Sequence, residues 1–78
     1  MDIVLNESEQ KRIIDRGDDF LLTKDKLDVG ECIIFRTPAY EYLGFASVNS
    51  CLKLEAKING DVKLYDKIYL VHFERCIE

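Results

Sequence analysis

The chain has 78 residues and a mass of 9.1 kDa, room for one domain and no more, because compact domains rarely fall below about 50 residues. Hydrophobic residues make up 47% and charged residues 33%, which excludes the low-hydrophobicity, high-charge signature of disorder. Eleven Lys and Arg against fifteen Asp and Glu leave a formal charge of −4 and a pI near 4.9, opposite to the basic footprint of an autonomous nucleic-acid binder.

From the N-terminus, Ile3 to Leu5 is a short β-branched start. Asn6 then stands where an N-cap belongs and Glu9 at the third helical position, a relative of the capping box. The pattern predicts a helix from Glu7 to Arg16, closed by Gly17 in the left-handed conformation. Phe20 to Thr23 reads as a strand, Lys24 to Asp28 as a polar loop, and Val29-Gly30 as a turn into a strand from Glu31 to Arg36. Thr37-Pro38-Ala39-Tyr40 is a connector with proline pre-set for a turn. Glu41 to Asn49 resumes an extended pattern in which Gly44 signals a bulge or a close backbone approach.

The clearest alternation follows. Leu52, Leu54, Ala56 and Ile58 share one face and Cys51, Lys53, Glu55 and Lys57 the other, so the leucine face is expected to be the buried one. Asn59-Gly60 resembles a two-residue hairpin, but that register would put Val62 and Leu64 on the polar face. A longer loop or a bulge is therefore expected there. Two periods compete from Asp66 to Glu78. Tyr69, Phe73, Cys76 and Ile77 follow helical spacing, whereas Ile68 to Phe73 is β-branched and aromatic. A helix is the preferred reading and a strand the alternative.

Candidate chemistry is sparse. His72 is the only histidine and has no nucleophile–base neighbour in sequence. Cys32, Cys51 and Cys76 are odd in number and dispersed, which indicates neither a disulfide framework nor a zinc site. Asp18-Asp19 lacks the ligand spacing of a hard-cation site, and no glycine-rich phosphate loop occurs. No catalytic residue, metal or cofactor is expected. No apolar run approaches the roughly 20 residues that span a bilayer, and Met1-Asp2 lacks the basic start of a signal peptide, so a cytoplasmic protein is expected. Lys11, Arg12 and Arg16 crowd one helix before Gly17, and Arg36 and Lys53 could extend a basic track, interrupted by Glu55. Tyr40 and Tyr42 flank the Pro38 turn and could stack an unpaired base.

In order and spacing the chain resembles the PUA domain that opens the bacterial large-subunit ribosomal RNA cytosine-5 methyltransferases, an S-adenosylmethionine-dependent family. The match runs through Val4-Leu5, Glu9 to Ile14, Arg16-Gly17, Gly30-Glu31, Ile33 to Phe35, Tyr42-Leu43-Gly44, Asn49-Ser50, Leu52 to Ile58, and Asp66 to Ile77. Asp18-Asp19-Phe20 stands where the family carries a His-Pro-Trp-type stretch, and Glu55 where a basic residue is common.

The resemblance implies an α+β, mostly β fold: a PUA-like pseudo-barrel of five to six mixed strands over residues 1–78, with one N-terminal helix. Residues 66–78 would open a connecting helix to a catalytic domain that the chain lacks. It implies weak, salt-sensitive binding of ribosomal RNA through Lys11, Arg12, Arg16, Gly17, Arg36 and Lys53, with no enzymatic activity in this chain. The alternative from another class is a protein-interaction or dimerisation module that has lost RNA binding and uses an exposed sheet edge or its apolar last element. A core this small, contributing about 3–5 kcal/mol, gives such a module reason to lean on a partner.

Overall fold

The structure, a computed structural model, describes residues 1–58 and 61–76, and of these 55–58 and 61–67 by their backbone alone. Five strands form one mixed sheet: β1 (Asp2–Val4), β2 (Phe20–Thr23), β3 (Cys32–Arg36), β4 (Tyr42–Ile58) and β5 (Asp61–Arg75). Their order is β1-β3-β4-β5-β2, with β1 parallel to β3 and every other pair antiparallel. The sheet curls into a half-barrel, leaving β1 and β2 as its two edges. The helical segment connects those edges directly.

That segment, Glu7 to Asp15, starts as the sequence predicts. The Asn6 side chain accepts from the Glu9 N–H (2.8 Å), and the Glu9 carboxylate accepts from the Asn6 N–H (3.0 Å), so two orphan donors of the first turn are satisfied reciprocally. Only Glu7–Gln10 is α-helical (α1). Lys11–Asp15 widens into π-helical turns, with the Arg16 N–H donating to the Lys11 carbonyl. Gly17, at φ +79°, reverses the chain so that the Asp18 N–H reaches the Arg12 carbonyl.

The concave face of the sheet and the helix enclose the core. Leu5, Ile13, Leu21, Leu27, Ile33, Phe35, Ala46, Val48, Val71 and Phe73 are buried, with Phe35 and Phe73 packed edge to face at 5.2 Å. Leu27 anchors the polar loop after β2, and its N–H donates to Cys51 Sγ at 3.5 Å. The Thr37–Tyr40 connector closes with the Tyr40 N–H on the Thr37 carbonyl. Tyr40 takes φ +67°, a value favoured by glycine.

Gly44 sits beside the expected bulge, and the group that comes close to it is a side chain rather than backbone. The β3–β4 register shifts beside it, between Phe35 and Arg36, and Arg75 Nη2 lies 2.8 Å from where a Cβ would stand.

Two expectations are corrected. The segment after Asp66 is not helical: it continues β5 to Arg75, pairing with β4 on one side and with β2 on the other. Two neighbours satisfy its backbone, and β-branched and aromatic residues suit that environment, so non-local pairing overrides the helical spacing. Tyr69, Val71 and Phe73 alternate toward the core.

The two extended segments on either side of Ser50 form one strand, in which Leu52 points away from the core rather than into it. Val48 pairs with Phe73 and Ser50 with His72, so Asn49 is an extra residue in β4. One inserted residue inverts the alternation. Cys51 therefore packs against the core, and Leu52 is 59% exposed.

The Asn59-Gly60 stretch, where a longer loop or a bulge is expected, lies outside the described residues; on either side of it Ile58 pairs with Asp61 and Lys57 with Val62. The irregularity falls further in, where Lys53 pairs with Tyr69 and Glu55 with Leu64. No helix among the described residues is long and apolar enough to cross a membrane.

Candidate functional site

Four of the six residues predicted to contact RNA lie together. Lys11, Arg12 and Arg16, with Ser8, line a shallow open depression on the helix. Their charges are differently engaged. Arg12 donates from Nη1 to the Phe20 carbonyl (2.8 Å), lies over the Phe20 ring at 4.4 Å and stands 3.6 Å from Asp18 Oδ2. Arg16 Nη2 donates to the same Asp18 oxygen at 2.9 Å. Lys11 is exposed and carries no salt bridge among the described residues.

Gly17 is exposed beside this group, and its left-handed backbone has a consequence the sequence did not reveal. It folds Asp18 back between the two guanidinium groups, so a carboxylate occupies the place an incoming phosphate would take.

Arg36 and Lys53 do not join them. Arg36 ends β3 opposite Tyr42, with Nε 3.5 Å from Asp2 Oδ2, Nη1 donating to the Tyr40 carbonyl at 3.3 Å and the guanidinium 5.1 Å from the Tyr40 ring. The Tyr40 hydroxyl donates to the same Asp2 carboxylate. Tyr40 is thus committed to Arg36, whereas Tyr42 is exposed. Lys53 pairs with Tyr69 far along β4, and at ~3.3 Å per residue the run from Tyr42 to Lys53 spans about 35 Å. The predicted basic residues form two separated groups, in which the three arginines pair with carboxylates and Lys11 does not, and Lys53 stands apart from both.

No catalytic arrangement emerges among the described residues. Ser50 Oγ lies 3.4 Å from His72 Nδ1, and Phe20 flanks the imidazole at 6.1 Å. Among the described residues, no group of three or more His, Cys, Asp and Glu is placed to hold a metal. The three cysteines are free thiols.

The feature that sequence reasoning missed is apolar. Leu22 pairs with Leu70, and Leu70 with Leu52, so the three leucines form one cross-strand row on the outer, convex face. Leu22 is 56% and Leu52 59% exposed, and Phe20 is exposed in the next row beside His72 and Ser50. Soluble domains scatter single apolar residues over their surfaces, but a contiguous row marks a contact surface more often. The only sequence signal was Asn49 between two alternating runs, a residue whose side chain suits an irregular backbone position. No family model, no curated protein and no solved structure matches this chain.

Proposed function

We propose that the chain is a protein-interaction module whose contact surface is the outer Leu22–Leu70–Leu52 row together with the adjoining β2 edge. The observation that carries this reading is the phase inversion at Asn49, which directs Leu52 outward and aligns it with two other leucines. Covering a leucine side chain contributes about 1.5–3 kcal/mol, so such a row supports modest association once ordering costs are met. The test is site-specific photocrosslinking from position 52 in cells producing the whole chain. A covalent adduct with a protein, whether another molecule or a second copy, is expected; absence of any protein adduct refutes the reading.

A second reading has its own observation: Ser8, Lys11, Arg12 and Arg16 share one depression. Together with the resemblance to the PUA domain of ribosomal RNA methyltransferases, it supports weak phosphate contact with RNA. Asp18 opposes it by pairing with both arginines. Titration of ribosomal RNA fragments distinguishes the two readings. Salt-sensitive binding lost in Lys11→Ala supports RNA contact, and no binding even at low salt removes it.

A further inference from the structure

We propose that the far half of β4 pairs antiparallel, along its outer edge, with the same edge of a second copy of the chain, about a two-fold axis at Ala56. This surface is separate from the leucine row. β3 pairs with β4 only as far as Ser47, and β2 pairs with β5 only from Tyr69 to His72. Among the described residues, Glu55–Ile58 and Asp61–Leu64 therefore pair with each other alone. A two-stranded ribbon by itself is marginal in water, and further strands stabilise it.

The ribbon has two outer edges, and the register shift chooses between them. Lys53 pairs with Tyr69 and Glu55 with Leu64, so the extra residues lie in β5 and interrupt its outer edge, whereas β4 continues through Leu54. Backbone direction follows from the ladder. The Phe73 N–H donates to the Asp19 carbonyl, so Phe73 and Val71 bond toward β2, and His72 and Leu70 toward β4. Their partners Ser50 and Leu52 bond inward. By alternation, Lys53, Glu55 and Lys57 direct their N–H and C=O groups to the open side.

Charge and a loop then fix the register. Lys53, Glu55 and Lys57 alternate in sign at those open positions. An axis at Glu55 would set Glu55 against Glu55 and Lys53 against Lys57, like charges throughout. Axes at Leu54 and at Ala56 each set lysine against glutamate twice. At Leu54, however, Lys57 of the other copy would come opposite Cys51. There the Leu27 N–H reaches Cys51 Sγ and the Gly30 N–H reaches the Val48 carbonyl, so the loop before β3 occupies that stretch of the edge. The Ala56 axis pairs Leu54 with Ile58 at its limits and stays clear of the loop. Glu55 of each copy then stands opposite Lys57 of the other, and each such pair exchanges two backbone hydrogen bonds. Within its own chain neither residue stands opposite a charge, since their β5 partners are Leu64 and Val62.

Sedimentation velocity on the full chain from about 1 μM to about 1 mM tests the proposal over the range of weak to moderate association. The expected result is a rise toward twice the 9.1 kDa chain mass. Glu55→Lys alone sets lysine against lysine and Lys57→Glu alone sets glutamate against glutamate, so each should weaken association roughly tenfold or more. Mixing the two variants puts opposite charges back at both positions and should restore dimerisation as a heterodimer, which also shows that both variants fold. Leu22→Lys changes β2, outside this contact, and should leave the association unchanged.

A chain that stays monomeric at every concentration overturns the proposal. So does a dimer indifferent to both charge variants, or one that their mixture fails to restore when circular dichroism shows both folded. Loss in Glu55→Lys with none in Lys57→Glu overturns the Ala56 axis, because that outcome belongs to an axis at Leu54. Photocrosslinking from position 52 in the Lys57→Glu chain tests the leucine row independently of this contact.

Discussion

Gly44→Ala probes the point where β4 bends past Arg75. Two costs are expected there. The residue holds φ +151°, a region L side chains rarely adopt, and holding one there costs on the order of 1–3 kcal/mol. The added Cβ would also stand 2.8 Å from Arg75 Nη2, but the guanidinium is the end of a flexible side chain and can withdraw.

The backbone term should therefore dominate. For a domain of this size each kcal/mol lowers the unfolding midpoint by about 4–8 °C, so Gly44→Ala should lose roughly 5–20 °C. Thermal unfolding followed by circular dichroism measures it, with Gly44→Ala repeated in an Arg75→Ala background. Most of the loss should persist in that background. A loss that vanishes with Arg75 would assign it to the side-chain clash, and a midpoint within about 2 °C of the parent in both backgrounds would refute the conformational argument.

Other substitutions separate structural from solvent-facing roles. Asn6→Ala should cost about 0.5–2 kcal/mol by removing the helix cap, read as faster amide exchange at Glu9. Arg12→Ala should cost about 1–2 kcal/mol, because it frees the Phe20 carbonyl and uncovers its ring, whereas Lys11→Ala should stay within about 0.5 kcal/mol in chemical denaturation. Val48→Lys should abolish cooperative unfolding, since it buries an unpaired charge, and Leu52→Lys should preserve it. If the two behave alike, the assigned phase of β4 is wrong.

The local signals were legible in the sequence where one short stretch determines the structure. Asn6 and Glu9 marked the cap, Gly17 the helix end, Gly44 the bulge, and Phe20–Thr23 a strand. What was not legible depends on neighbours distant in sequence. The segment after Asp66 carries helical spacing and strand composition together, and only pairing with both β4 and β2 decides between them. The Leu52 alternation identified a strand correctly but not which way Cys51 and Leu52 point, because a single unpaired residue, Asn49, shifts the phase of β4 just before them. The basic residues looked contiguous along the chain. The carboxylates that neutralise them, Asp18 for Arg12 and Arg16 and Asp2 for Arg36, become visible only once Gly17 has reversed the helix exit and β1 has paired with β3.

The outward leucine row is the premise on which the interaction reading stands, and methyl NMR with a soluble gadolinium chelate tests it most directly. Leu22 and Leu52 methyl signals should broaden strongly while those of Val48, Ile33 and Val71 remain sharp. Sharp Leu52 signals alongside broadened Val48 signals would place the leucines inside and contradict the account.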